Sequence, residues 1–136
     1  MHALIIEDES VIAMLIEDIL RDCGFESIDI ASSPEAAFEA FARKCPTLIT
    51  SDVQLKPGCG IKTVLQIRHK KLIPVIFITG NAGEVTDRVP NVTVLSKPFT
   101  ESQLVEAVAF VLPSNLEAAC FNTGIYFVRN KSADHD

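Results

Sequence analysis

The chain has 136 residues, 48% hydrophobic and 22% charged, with a formal net charge of -6; this suits one domain with a single sizeable core and excludes both a disordered chain and a general lure for nucleic acid. No apolar run approaches the roughly 18–20 residues that span a bilayer. The N-terminus has no basic region leading into a cleavable apolar segment, so a cytoplasmic protein without membrane insertion is expected.

Taken in chain order, residues 3–7 begin ALII, too continuously apolar for a half-exposed strand and therefore suited to the centre of a parallel sheet. Ser10 is placed to cap a helix whose stripe is Val11, Met14, Leu15, Ile19 and Leu20, with Glu17, Asp18 and Arg21 toward water. Gly24 offers a left-handed stop. Residues 27–31 read as a second strand. Ser33-Pro34 is a helix entrance, because the hydroxyl accepts a free amide while proline occupies the first turn, and Ala37, Phe38 and Phe41 give that helix its buried side. After Pro46, residues 47–51 form a third strand, and residues 60–70 carry Ile61, Val64, Leu65 and Ile67 at helical spacing. Pro74 leads into VIFI as the fourth strand, residues 92–96 make the fifth, and residues 101–112 close with a helix burying Leu104, Val105, Val108, Ala109 and Leu112. Between Thr79 and Lys97 lie 17 residues, among them Asn81, Gly83, Pro90 and Asn91. These breakers leave room for a short or irregular fourth helix at most. The βα alternation predicts an α/β fold, a doubly wound parallel sheet with helices on both faces.

The polar landmarks fall where such a sheet gathers ligands, at the carboxyl ends of its strands. Glu7-Asp8 follow the first strand, Asp52 the third, Thr79-Gly80 the fourth and Lys97 the fifth. Each has a plainer use, as a surface pair, a turn acceptor, a strand hydroxyl or a solvated lysine. Their joint placement favours a shared site. Carboxylates so placed repel one another, and Mg2+, which prefers hard oxygen ligands, relieves that repulsion. Asp52 is the best nucleophile, since a carboxylate attacks a phosphoryl donor to form an acyl phosphate. Lys97 neutralises another oxygen, and the Thr79 hydroxyl can donate to the added group.

These residues resemble the bacterial response-regulator receiver family over residues 2–113, in Glu7-Asp8, Asp52, Thr79-Gly80 and Lys97-Pro98-Phe99. The resemblance implies a CheY-like (flavodoxin-like) five-stranded fold with strand order 2-1-3-4-5, and phosphoryl transfer to Asp52 from a phosphohistidine on a histidine kinase or histidine phosphotransfer protein. It implies Asp8, Asp52 and the backbone carbonyl of Gln54 as Mg2+ ligands, Glu7 acting through water, and a cis Lys97-Pro98 peptide. The switch region would comprise Thr79, Gly80, Val94, Lys97 and Pro98. Departures from the family pattern are Lys56 in place of a proline four residues after Asp52, with Pro57 next, and Val94 in place of the Tyr or Phe that commonly stands three residues before the lysine. An aromatic rotamer switch cannot operate there. Phe77-Ile78-Thr79-Gly80 is similar to the Phe-Ala-Thr-Gly stretch of a proteobacterial branch of receivers, many of them single domains.

The implied activity is that of a single-domain response regulator or phosphorelay intermediate with an unidentified downstream protein, enzyme-like only in its own phosphorylation and dephosphorylation. An adapter that binds a partner without phosphorylation is the main rival. A metal-dependent phosphatase would need an acid two residues after the nucleophile, where Gln54 stands. Residues 1–113 form the expected receiver domain and 114–136 an extension, in which Ile125, Tyr126, Phe127 and Val128 make a strand or a partner patch before a frayed polar end. Cys23, Cys45, Cys59 and Cys120 form no C-x-x-C pair, which argues against redox and zinc motifs. The basic run from Arg68 to Lys71 compensates a helix dipole better than it binds DNA.

Overall fold

The computed structural model describes residues 1–89 and 92–112. Strands β1 (His2–Ile6), β2 (Ser27–Ala31), β3 (Leu48–Ser51), β4 (Val75–Thr79) and β5 (Thr93–Ser96) form one five-stranded sheet in the order β2-β1-β3-β4-β5. All the pairings are parallel. Helices α1 (Ser10–Asp22), α2 (Pro34–Arg43), α3 (Gly60–Lys70), α4 (Ala82–Arg88) and α5 (Glu101–Val111) alternate with the strands. The expected boundary at Pro113, the segment Ile125–Val128 and the polar end lie outside the described residues, as do Pro90 and Asn91.

Successive strand side chains point to opposite faces, and both faces are covered. Ala3, Ile5, Ile76 and Ile78 pack with α1 and α5, while Leu4, Ile6, Ile49 and Phe77 pack with α2, α3 and α4. Burial on both sides is why the central strands read as unbroken apolar runs. Each such Leu, Ile or Phe side chain contributes roughly 1.5–3 kcal/mol relative to exposure. Ser33 Oγ accepts the Ala36 amide at 3.2 Å with Pro34 in the first turn. Thr100 and Gln103 form a reciprocal capping box at the start of α5. Gly24 sits at φ 102°, in the left-handed region that ends α1.

Several expectations are corrected. The buried side of α1 is Ala13, Ile16, Ile19 and Leu20, whereas Val11, Met14 and Leu15 are exposed, Val11 by 76%. Residues 11–16 are all apolar, so hydrophobicity marks no single side there. Ala13, one of the smallest, takes a place against the sheet. Glu9 is the N-cap in place of Ser10, and its side chain makes no capping bond. Leu65 is exposed on α3, and Phe38 and Phe41 are only partly buried. The Lys97-Pro98 peptide is cis, and so is Lys56-Pro57, which had no such expectation.

Candidate active site at the carboxyl ends of the strands

The sheet's hydrogen-bond ladder runs one residue past the strands and fixes the backbone of the polar residues. The Glu7 amide donates to Ala31 O at 3.0 Å, that of Asp52 to Ile6 O at 3.0 Å and that of Lys97 to Thr79 O at 2.9 Å. The ends of β2, β1 and β3 are thereby tied together, and that of β5 to β4, through the residues that carry charge.

Lys97 Nζ lies 3.1 Å from Glu7 Oε1, 3.0 Å from Asp52 Oδ2 and 3.8 Å from Glu9 Oε1. The second Glu7 oxygen accepts the Glu9 amide at 3.1 Å, and Asp52 Oδ1 accepts the Val53 amide at 2.6 Å. Glu7 is 2% exposed. Burial pushes its carboxyl above the usual range, against the opposing pull of the Glu9 amide and Lys97, with the Asp52 charge adding to the rise. Burial alone would lower the Lys97 ammonium, but hydrogen bonds to Asp52 and Glu7 outweigh it, and the net shift is upward.

Ligand-capable oxygens of Glu7, Asp8, Glu9 and Asp52 all lie within 4.8 Å of one another. Their hard, negatively charged donor set fits a magnesium-class cation. Glu9 is the member that sequence reasoning missed, although it is the third successive acid of Glu7-Asp8-Glu9. The cluster opens into a cleft of about 910 Å³ that is also lined by Gln54, Lys56, Thr79 and Gly80.

The loop after Asp52 is held hard against it. A Cβ at Gly60 would overlap the Asp52 carbonyl oxygen and lie 2.7 Å from Ser51 Oγ. The Gly60 amide donates to Val53 O at 2.6 Å, and Ser51 Oγ donates to Asp52 O at 2.8 Å. Only glycine allows this approach. Gln54 bridges Cys59, and the Leu55 amide reaches Gly58 O at 3.1 Å, so residues 54–59 close into a small loop with Gln54 on the cleft.

On the other wall Thr79 is 2% exposed, and its Oγ1 accepts the Asn81 amide at 3.1 Å. Its hydroxyl hydrogen is left for another acceptor. Of the other residues expected in a switch region, Gly80 reaches the cleft, while Val94 and Pro98 do not line it. Val94 stands opposite Phe77 across β4 and β5 and packs against the core cluster containing Val85 and Val89.

The family model of the response regulator receiver domain matches residues 3–109. The chain belongs to the response regulator receiver family. It is 29% identical over 111 residues to the transcriptional regulatory protein PdtaR of Mycobacterium tuberculosis, a match covering 79% of this chain and 54% of that protein. The chain thus spans about half the length of the curated relatives it matches. Among solved structures, the PhyR response regulator REC domain of Erythrobacter litoralis is 35% identical with a TM-score of 0.75, covering 79% of this chain and 86% of that one. The anti-anti-sigma factor PhyR of Bartonella quintana is 30% identical with a TM-score of 0.65, covering 99% of this chain and 51% of that one.

Two local features of this receiver differ from the pattern the resemblance implied. Lys56 is exposed at the cleft rim, where the family commonly has proline, yet Gly60 still closes the loop. Val94 puts an aliphatic side chain, packed with Phe77, Val85 and Val89, where the family commonly has an aromatic ring. No helix among the described residues is long and apolar enough to cross a membrane.

Proposed function

We propose that this receiver is a single-domain response regulator or phosphorelay intermediate of the cytoplasm, accepting a phosphoryl group on Asp52 from a phosphohistidine of a histidine kinase or phosphotransfer protein. The observation that carries this reading is Lys97 Nζ bridging Glu7 and Asp52 at 3.1 and 3.0 Å beside the carboxylates of Asp8 and Glu9. An Asp52 carboxylate oxygen attacks phosphorus, an O–P bond forms, and the N–P bond breaks with its electron pair returning to the imidazole. Lys97 supplies positive charge beside Asp52 and holds its side chain in place. Asp8, Asp52 and the Gln54 carbonyl, with Glu7 through water and Glu9 close by, would hold Mg2+. The ion supplies charge neutralisation for the phosphoryl oxygens when bound.

Thr79 is the reporter. Its hydroxyl donates to a phosphoryl oxygen while still holding the Asn81 amide, so any movement of Thr79 pulls on the entry to α4. The signal leaves through residues 80–91, without an aromatic rotor, toward a downstream protein. The name of the Bartonella relative, an anti-anti-sigma factor, supports an output through protein contact. An adapter independent of phosphorylation has no use for four clustered carboxylates, three of them on one ammonium. Like charges gathered this way lower stability unless a ligand uses them.

Incubating the protein with magnesium and a small phosphodonor, then weighing it intact, tests the reading. One phosphoryl group should be gained, and Asp52→Asn should gain none. Labelling that survives this substitution overturns the assignment.

A further inference from the structure

The cleft at Asp52 has a charge imbalance that its best-held residues do not correct. Oxygens of Glu7, Asp8, Glu9 and Asp52 lie within 4.8 Å of one another, and the Lys97 ammonium beside them is already within ion-pair distance of three of these acids. Four carboxylates carry more charge than one ammonium and one divalent cation together. The mouth of the cleft therefore repels an incoming phosphoryl anion.

A second ammonium stands on the same cleft. Lys56 lines it together with Asp8, Glu9 and Asp52, is exposed, and makes no ion pair among the described residues. Its backbone is firmly placed. Leu55, directly before it, is buried in the core cluster that contains Ile61 and Val64, and the Leu55 amide donates to Gly58 O at 3.1 Å. Gln54 bridges Cys59, and the loop packs so closely on the start of α2 that a Cβ at Gly58 would lie 2.5 Å from the Pro34 ring. A fixed loop thus carries an uncommitted cation at the rim. A lysine is a compact charge on a flexible stem, suited to drawing an anion inward, whereas Lys97 is held at 3.0 Å from Asp52.

We propose that Lys56 is a steering residue for the phosphodonor, offsetting the negative field at the cleft mouth and favouring donors of greater negative charge, a role that rests on Asp52 as the phosphoryl acceptor. Such a charge raises the rate of productive encounter. Lys56 forms no bond and carries no proton in the transfer itself.

The test is the rate at which the intact protein gains phosphoryl mass, at low ionic strength, with magnesium present and donor well below saturation. Lys56→Met should slow labelling about fivefold with acetyl phosphate, a dianion, and about twofold with phosphoramidate, a monoanion. Lys56→Arg, which keeps the charge, should match the unaltered chain. Lys62→Met, which removes an exposed cation outside the cleft, should do the same. Added salt should shrink the deficit of Lys56→Met. Magnesium alone should bind Lys56→Met severalfold more tightly, a change of opposite sign that a damaged loop would not produce. If Asp52 still labels, the role of Lys56 is overturned by a rate indifferent to Lys56→Met, by equal slowing with both donors, or by weaker magnesium binding. An unaltered chain that takes no label overturns the reading of Asp52, and the role of Lys56 with it.

Discussion

The two walls of the cleft are built to different standards. On the acceptor side, the Glu7, Asp52 and Lys97 amides continue the sheet ladder, Lys97 ties two carboxylates together, and Gly60 presses on the Asp52 carbonyl. On the reporting side, α4 has seven residues, its N-cap Asn81 makes no side-chain capping bond, and Val85 is the one buried residue within it. Chemistry needs fixed geometry, whereas a signal needs a segment whose equilibrium a small change can shift. The contrast sets a firmly held wall at Asp52 against a lightly held segment just beyond Thr79, the division that the proposed phosphorylation switch requires.

Substitutions on the two walls should separate these roles. The largest stability loss is expected for Gly60→Ala, about 3 kcal/mol in urea unfolding, because backbone and not a flexible side chain must give way. Lys97→Met should lower stability by about 2 kcal/mol, since Glu7 and Asp52 lose their shared cation. Added magnesium should recover part of that loss, as a ligand bound only by the folded state does. For Thr79→Ala the expected loss is about 1 kcal/mol, and phosphoryl labelling should persist. In that variant, however, amide exchange of residues 80–89 should no longer respond to a phosphate mimic, as it should in the unaltered protein. The smallest effect belongs to Glu84→Ala, which removes an exposed pair with Arg88 at 3.2 Å and should change stability by less than about 0.5 kcal/mol. If Glu84→Ala proved as damaging as Lys97→Met, the two walls would not differ as described.

Much of this was legible in the chain. Continuous apolar runs marked β1, β3 and β4, and Ser33-Pro34 marked the start of α2, because local chemistry and the final burial agree there. The polar residues at strand ends were readable for the same reason, since a strand that is placed also places the residue directly after it. The features that could not be read were decided by distance across the fold. The inner side of α1 turns on Ala13 fitting close to the sheet, which a run of six apolar residues does not reveal. Glu9 joins the cluster through the turn that its amide makes with Glu7, and Gly60 is required by a carbonyl eight residues earlier. Val94 was readable as an aliphatic residue where the family commonly has an aromatic one. The structure adds that its place opposite Phe77 is filled by core packing.

The most direct test of the central claim is to trap the phosphorylated protein with borohydride, which reduces an acyl phosphate to the alcohol, and to map the product by peptide mass. Homoserine at position 52 alone is the predicted result. Reduction at Asp8 or Glu9, or a borohydride-resistant phosphoryl group on Thr79, would contradict it.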